Sequence, residues 1–320
     1  MEKARFKWVL RERNRKIAAK TEVFTEQQAR RVRSFHSSFK EYSPTPLIEL
    51  TSLAQHLGIK NLFVKDESYR FGLNAFKVLG GSFAIGSYIA NELGEDIDDL
   101  PYMRLVSDEV RSLLGSKTFI TTTDGNHGRG VAWTANRLKQ QAIVYMPQGS
   151  AAERLANIRA EGAQAEITDM NYDDTVRYTS ELAQKNGWII VQDTAWDGYT
   201  RIPLWIMQGY MTMALEAYEQ LPVKPTHIFL QAGVGSLAGS VQGFFADIYG
   251  SSCPLTFIVE PKGADCLYQT AAANDGSLHS VTGRLETIMA GLACGEPNSI
   301  AWEILGNLSD GFISLSLIHI

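Results

Sequence analysis

The chain has 320 residues, of which 45% are hydrophobic and 20% charged, and its formal net charge is −5 with a pI of about 5.7. These values are typical of a globular protein with a buried core. The acidic balance provides no field that attracts nucleic acid or an anionic membrane, so we expect neither partner. The most apolar long stretch, 202–218, is interrupted by Gln208 and Glu216 and is too short for a transmembrane span.

Residues 1–40 differ from the rest of the chain because they carry 12 of its 30 Lys and Arg residues. We expect a solvated basic face on N-terminal helices, with a polyanion-binding site as the alternative. The segment has no apolar region of the kind found in secretory signals. Cysteines at positions 253, 266 and 294 are too few and too scattered for a disulfide framework or a zinc site. We expect reduced thiols in a cytoplasmic enzyme, and a contact between Cys266 and Cys294 stays open.

Hydrophobic periodicity, caps and breakers predict alternating helices and strands along the chain. The capping box Thr25-Glu26-Gln27-Gln28 begins the first helix. Residues 91–117 are polar and acidic at first and have the character of an insertion. The predicted helices cover 25–39, 51–57, 82–92, 107–114, 126–139, 151–161, 172–185, 203–219, 236–247 and 264–274. The predicted strands cover 61–65, 118–122, 142–146, 165–167, 188–192, 226–231 and 255–260.

This alternation predicts the α/β class, with parallel sheets covered by helices on both faces. Residues 311–314 begin like one more strand, and the chain then ends in apolar residues. From that ending we expect a truncated chain or an altered reading frame.

A glycine-rich loop, Gly233-Val234-Gly235-Ser236-Leu237-Ala238-Gly239, follows a predicted strand and precedes a helix. Such a loop presents backbone N–H groups and the positive end of a helix dipole to an anion. Ser236 can add a hydroxyl group. A dinucleotide-binding fingerprint, with Glu260 as its ribose-binding acid, is the alternative, but the glycine spacing here is one residue too long. The loop therefore favours a phosphate monoester, bound by the backbone of Gly233, Val234, Gly235, Ser236 and Leu237.

Lys77 lies just before a predicted helix N-terminus, where the helix dipole opposes its positive charge. Burial among Phe76, Val78 and Leu79 would depress its pKa and make the amine a nucleophile. An ordinary lysine at the start of a helix is the alternative. Together with the phosphate-binding loop and the polar loop described next, Lys77 provides what an enzyme needs to hold pyridoxal phosphate as a Schiff base.

The polar loop Asp124-Gly125-Asn126-His127-Gly128 follows the predicted strand at 118–122. Asn126 would bond the phenolic oxygen of the cofactor ring, and the loop N–H groups would bind a substrate carboxylate. His127 is a candidate too, with a hydrogen-bonded turn histidine as the alternative. Asp124 and Asp193, which follows the strand at 188–192, are candidates for proton transfer. For both carboxylates the alternative is a structural role, in which the side chain caps its own loop.

These motifs resemble those of fold-type II pyridoxal-phosphate enzymes. The matching features are Pro44-Thr45-Pro46-Leu47, Asn74 to Lys77, the Gly-Asn-His-Gly loop and the glycine-rich loop. More narrowly, four segments resemble the diaminopropionate ammonia-lyase subfamily, namely 71–77, 122–130, 191–196 and 288–296. The resemblance covers about residues 20–314. It implies a large domain from 1–88 and 200–320, a small α/β domain at 89–199, the cofactor in the cleft between them, and a homodimer.

The resemblance also implies a reaction: 2,3-diaminopropionate, a small amino acid, loses ammonia and gives pyruvate. Lys77 would bind the cofactor covalently and act as base on one face of the substrate. Asp124 would act on the opposite face, so that both enantiomers react, and Asp193 would assist protonation or hold the β-ammonium group. In the wider fold-type II group the position of Asp124 usually holds a small neutral residue. A serine or threonine dehydratase, or a truncated and inactive cofactor-binding protein, is the alternative.

Overall fold

The structure is a computed structural model that describes residues 6–13, 21–283, 285 and 287–316. The helices are α1 (Glu26–Ser37), α2 (Thr51–Leu57), α3 (Lys77–Leu93), α4 (Tyr102–Leu105), α5 (Asp108–Leu114), α6 (Asn126–Arg137), α7 (Ala152–Ala160), α8 (Tyr172–Asn186), α9 (Arg201–Gln220), α10 (Ser236–Tyr249), α11 (Cys266–Ala273) and α12 (Ser299–Leu308). The strands are β1 (Phe6–Leu10), β2 (Leu47–Glu49), β3 (Phe63–Lys65), β4 (Thr118–Thr122), β5 (Gln141–Met146), β6 (Gln164–Ile167), β7 (Ile189–Ile190), β8 (His227–Gln231), β9 (Leu255–Pro261) and β10 (Gly311–Leu315).

Two four-stranded sheets organise the described residues. The first has the order β6-β5-β4-β7 and is parallel throughout, because each strand is followed by a helix that returns the chain to the same edge. The second has the order β1-β10-β9-β8, in which β8, β9 and β10 are parallel and β1 is antiparallel. Strands β2 and β3 form a separate antiparallel pair. The predicted α/β class with parallel sheets is therefore confirmed.

The first sheet comes from residues 118–190, inside the segment 89–199 that we assign to a small domain. The strands of the second sheet come from the flanking segments, at 6–10 and 227–315. This arrangement supports our proposal for the domain division, although helix α3 crosses the boundary that we place at residue 88.

Helix α3 is held tightly between two other helices by glycine contacts. A Cβ atom at Gly209 of α9 would lie 2.3 Å from the carbonyl oxygen of Leu79. A Cβ atom at Gly130 of α6 would lie 2.9 Å from the Cα atom of Val78. Both spacings are shorter than a carbon contact tolerates, so glycine is required where α6 and α9 approach the backbone of α3. The first turn of α3, which begins at Lys77, is thereby fixed in place.

The structure corrects several predicted elements. Helix α3 begins at Lys77 itself and not after it, and helix α12 was not predicted. Strand β7 has two residues, whereas a strand over 188–192 was predicted. Residues 6–10, expected on a helix, form strand β1 because they pair with residues 311–315 of β10.

The basic N-terminal region makes ion pairs in its described part. Arg13 binds Asp310 through a contact of 2.5 Å, and Arg33 of α1 pairs with Glu219 of α9. Arg31 pairs with Asp98 at 2.8 Å. Residues 14–20 lie outside the described part of the chain. These acidic partners do not favour a polyanion site, but Arg13, whose side chain is 8% exposed, is not part of a solvated face. Among the described helices, none combines the length and the apolar character that crossing a bilayer requires.

Candidate active site

The central contact of the site joins Lys77 to Asp193. Lys77 is the first residue of α3, and Asp193 follows β7 at the carboxyl edge of the first sheet. Lys77 Nζ donates a hydrogen bond to the Asp193 carboxylate. The Lys77 side chain is 21% exposed and that of Asp193 is 6% exposed. The ion pair is therefore largely buried, and solvent still reaches part of the lysine side chain.

The prediction of a depressed pKa for Lys77 is wrong. Burial does lower the pKa of Lys77, but the nearby Asp193 and Tyr210 side chains outweigh burial and raise it above its usual value. In turn the Asp193 carboxyl, whose pKa burial would raise, is held at a pKa of about 2 chiefly by the charge of Lys77 and the hydrogen bond from its amine. Without cofactor the amine is thus an ammonium ion paired with a carboxylate.

The polar loop joins β4 to α6 and is shaped by Thr123. The Thr123 hydroxyl accepts hydrogen bonds from the N–H groups of Gly125, at 2.9 Å, and Gly128, at 3.1 Å. A Cβ atom at Gly128 would lie 2.3 Å from Thr123 Cγ2, so the turn requires glycine there. Asn126, the first residue of α6, is exposed and available to a ligand.

Asp124 is paired with an arginine that the sequence did not indicate. Arg154 of α7 donates from Nη1 to the Asp124 carboxylate at 3.1 Å. Burial raises the pKa of Asp124, and the charges of Lys77 and Arg154 only partly offset that rise. Because Asp124 interacts with the charges of both Lys77 and Asp193, the three candidate residues lie in one electrostatic unit.

His127 is buried behind the ion pair. Its Nε2 atom lies 2.7 Å from the Val191 carbonyl oxygen, which assigns the proton of the neutral ring to Nε2. Its Nδ1 atom is 4.0 Å from the Asp193 carboxylate and has no hydrogen-bond partner among the described residues. Burial lowers the pKa of His127. The interpretation as an ordinary turn histidine therefore accounts for only one of its two ring nitrogens.

The glycine-rich loop fits a phosphate group. Gly235 has φ of +101°, a value that glycine adopts without strain. It precedes α10, a helix of 14 residues whose N-terminus favours an anion. In the described part of the chain, no protein group accepts a hydrogen bond from the N–H groups of residues 233–237. These five donors therefore have no competing acceptor among the described residues.

The hydroxyl group of Ser236 serves a different purpose from the one we predicted. It donates to the Asp193 carbonyl oxygen at 2.5 Å, and Asn298 Nδ2 donates to the same hydroxyl at 2.8 Å. The Asn298 N–H also donates to the Val234 carbonyl oxygen at 2.8 Å. Asn298 is fully buried, caps α12, and ties the glycine-rich loop to the segment that carries Asp193. The only signal for it in the sequence was an asparagine before an apolar run.

A cleft of about 240 Å³, open to solvent, lies beside these residues. Val234, Thr194 and Cys294 form its inner side, and charged residues lie around it, namely Asp173, Arg177 and Glu296. Cys266 and Cys294 are both free thiols. The inner side thus joins the glycine-rich loop to the Asp193 segment, as a pocket for a small phosphorylated cofactor requires.

Comparison with known proteins identifies the class. Residues 39–320 match the family described as pyridoxal-phosphate dependent enzymes. The chain superimposes on holo diaminopropionate ammonia-lyase from Escherichia coli with a TM-score of 0.89 and 49% identity, covering 97% of this chain and 77% of that one. The fold and the site therefore define a fold-type II pyridoxal-phosphate enzyme, and pyridoxal phosphate is its cofactor.

Sequence relatives narrow the class further. Diaminopropionate ammonia-lyase of Salmonella typhimurium is 53% identical over 287 residues, which are 88% of this chain and 71% of that protein. A catabolic L-threonine dehydratase of Staphylococcus aureus is 27% identical over 271 residues, which are 84% of this chain and 67% of that protein. The chain belongs to the diaminopropionate ammonia-lyase family.

Proposed function

We propose that the chain eliminates ammonia from 2,3-diaminopropionate. One water molecule is consumed, and pyruvate and two molecules of ammonia are formed. The observation that carries this proposal is the electrostatic unit of Lys77, Asp193 and Asp124 beside the N–H groups of residues 233–237, which have no acceptor among the described residues. Such a unit offers both a nucleophilic amine and a separate carboxylate that can accept a proton.

Lys77 would hold the cofactor covalently, and its free amine would take the α-proton of the substrate on one face. Bound pyridoxal phosphate supplies an electron sink for the negative charge that develops at the α-carbon. The raised pKa of Lys77 requires that its proton leave before the amine can act.

Asp124 takes the α-proton on the opposite face, which gives the enzyme access to the second enantiomer. Its raised pKa brings the carboxyl closer to the pH at which proton exchange is efficient. Asp193 holds the β-ammonium group or returns a proton to the product. Asn126 bonds the phenolic oxygen of the cofactor, and the N–H groups of Gly233, Val234, Gly235, Ser236 and Leu237 bind its phosphate.

Elimination of water from serine or threonine is the competing reaction. The identity of 53% with an ammonia-lyase against 27% with a dehydratase does not favour it. The carboxylate of Asp124 also favours diaminopropionate, because it attracts an ammonium group and gives no such advantage to a hydroxyl.

A pyruvate assay on purified protein with D- and L-diaminopropionate, serine and threonine tests the proposal, with Lys77→Ala as the control. We expect pyruvate from diaminopropionate well above that from serine, and none from the variant. Borohydride reduction followed by peptide mass mapping should find the pyridoxyl group on Lys77. A label on another lysine, or cofactor binding without pyruvate from any substrate, would contradict the proposal.

We further propose that the protein acts in the cytoplasm as a homodimer. Support for a second copy comes from one face of the second sheet, where Trp8 is 59% exposed and Phe229 is 62% exposed. The strand register places both side chains on the same face. Apolar surface of this kind marks an interface. Sedimentation velocity at several concentrations measures the state, and a single monomeric species throughout would rule the dimer out.

A further inference from the structure

The side chain of Tyr172 lies in the wall of the cleft, beside the segment that carries Asp193. Tyr172 is the first residue of α8, is half-buried, and lines the cleft together with Thr194 and Val234. Its hydroxyl oxygen lies 2.9 Å from Nε2 of Gln192, the residue that precedes Asp193. The hydroxyl group is therefore placed next to the chain that carries the proposed catalytic carboxylate.

The other hydrogen bonds of Gln192 fix the direction of this contact. Gln192 is 1% exposed, and its Oε1 atom accepts from the Thr122 N–H group and from the Thr121 hydroxyl, both at 3.0 Å. A backbone N–H group can only donate, so the amide oxygen must face β4 and the amide nitrogen must face Tyr172. Gln192 is therefore the donor in this contact, and the tyrosine oxygen is the acceptor.

The hydroxyl proton of Tyr172 is left without an acceptor. A phenol group can both accept and donate a hydrogen bond, and among the described residues Tyr172 only accepts. Burial raises the pKa of Tyr172 well above its usual value, so the proton stays on the oxygen at neutral pH. An unused donor in the wall of a cleft is available to a ligand that enters the cleft.

The chemistry of an amino-acid substrate selects its carboxylate as the acceptor. The ammonium groups of diaminopropionate have N–H donors and no acceptor, whereas its carboxylate has only acceptor oxygens. A neutral donor also suits this part of the cleft. The charge of Asp193 acts on Tyr172, so a cationic side chain in its place would be drawn to Asp193, whereas a hydroxyl group stays free for the substrate.

We propose that Tyr172 is a substrate-binding residue whose hydroxyl group donates a hydrogen bond to the carboxylate of the amino-acid substrate. Gln192 is the positioning residue that holds the phenol oxygen and leaves its proton free. The identity of the substrate rests on the proposed function. The contact makes the cleft prefer a ligand with a carboxylate over an amine that lacks one.

Tyr172→Phe removes the hydroxyl group and keeps the ring in the wall of the cleft. Alanine and ethylamine are the probes, because they differ only by the carboxylate and have no leaving group at the β-carbon. Titration of the holoenzyme with each probe, followed in the visible spectrum of the cofactor, gives the two Kd values. The substitution should raise the Kd of alanine about tenfold or more and leave that of ethylamine unchanged. Tyr178→Phe, on the same helix but packed against Tyr145, should change neither.

An unchanged Kd for alanine in Tyr172→Phe overturns the proposal. An equal loss of affinity for both probes overturns it too, because the hydroxyl group would then serve the cofactor or the fold.

Should that variant not fold, 3-fluorotyrosine placed at position 172 alone keeps the hydroxyl group and reports on it by ¹⁹F NMR. Saturating the holoenzyme with alanine should move the resonance more than saturating it with ethylamine, and equal movement contradicts the proposal. Absence of pyruvate from diaminopropionate would contradict the proposed function, whereas the comparison of alanine with ethylamine would still decide the role of Tyr172.

Discussion

Lys77 Nζ and the Asp193 carboxylate form an ion pair although 116 residues separate them in the chain. Lys77 is placed by the start of α3, whose backbone contacts Gly130 and Gly209. Asp193 is placed by β7, and its own carbonyl oxygen accepts the Ser236 hydroxyl. The pair thus links the first sheet, helix α3 and the glycine-rich loop.

Asp193→Asn should lower the pH at which Lys77 reacts, because the carboxylate raises the pKa of the amine. The substitution should also make the free energy of unfolding depend less on pH in the acid range. The pKa of Asp193 is about 2 in the folded protein, against about 3.9 for an unperturbed aspartate. Its stabilising effect is therefore complete above pH 4 and disappears as the pH falls toward 2.

Urea unfolding measures this effect. The free energy of unfolding of Asp193→Asn should be about 2 kcal/mol below wild type at pH 7, and the two should converge near pH 2. Asp197→Asn, an exposed position four residues further on, is the control and should behave as wild type. The same deficit at both pH values would show that the ion pair is not its cause.

Asp124→Asn tests whether Asp124 acts as a base or only caps its loop. The amide still accepts a hydrogen bond from Arg154, so fold and cofactor linkage should persist. Because only one α-proton points at that face, the ratio of turnover on D- and L-diaminopropionate should change by at least about a hundredfold. Asp173→Asn, which removes another carboxylate beside the cleft, should leave the ratio unchanged. Equal losses on both enantiomers would assign Asp124 to binding the β-ammonium group.

Gly235→Asp should weaken binding of pyridoxal phosphate by about one to two decades, the equivalent of one lost charge-assisted hydrogen bond. The added carboxylate repels phosphate, and a side chain is strained at φ of +101°. Gly94→Asp is a matched control, since Gly94 also has a positive φ but lies at the end of α3 in open space. Cofactor titration followed in the visible spectrum measures the affinity. Unchanged affinity for Gly235→Asp would place the phosphate elsewhere.

Asn298→Ser tests whether Asn298 orients the glycine-rich loop. Serine can still cap α12, so the melting temperature should stay within a few degrees of wild type. The shorter side chain cannot reach the Ser236 hydroxyl, and cofactor affinity should fall about tenfold. Asn307→Ser, at a half-buried position near the end of the same helix, should not change affinity. Loss of stability without loss of affinity would make Asn298 a cap only.

Much of the fold could be predicted because its signals are local. Strand β4 at Thr118–Thr122 and helix α2 at Thr51–Leu57 have the bounds that composition and caps predicted. Strand β1 could not be predicted. Its five residues include strand-favouring types, but the segment is short and lies in a basic region, and its stability as a strand comes from pairing with residues 311–315.

The sequence by itself indicated the residues that we propose carry the chemistry. Lys77, the Asp124 loop and the glycines at 233 and 235 stand in short contiguous motifs, each with its own backbone requirement. Only the tertiary structure decided how they act on one another. Arg154, Tyr210 and Asn298 come from helices remote in sequence, and Asp193 reverses the effect of burial on the pKa of Lys77. A local motif specifies backbone shape, whereas charge interactions depend on distances through space that only the packed chain sets.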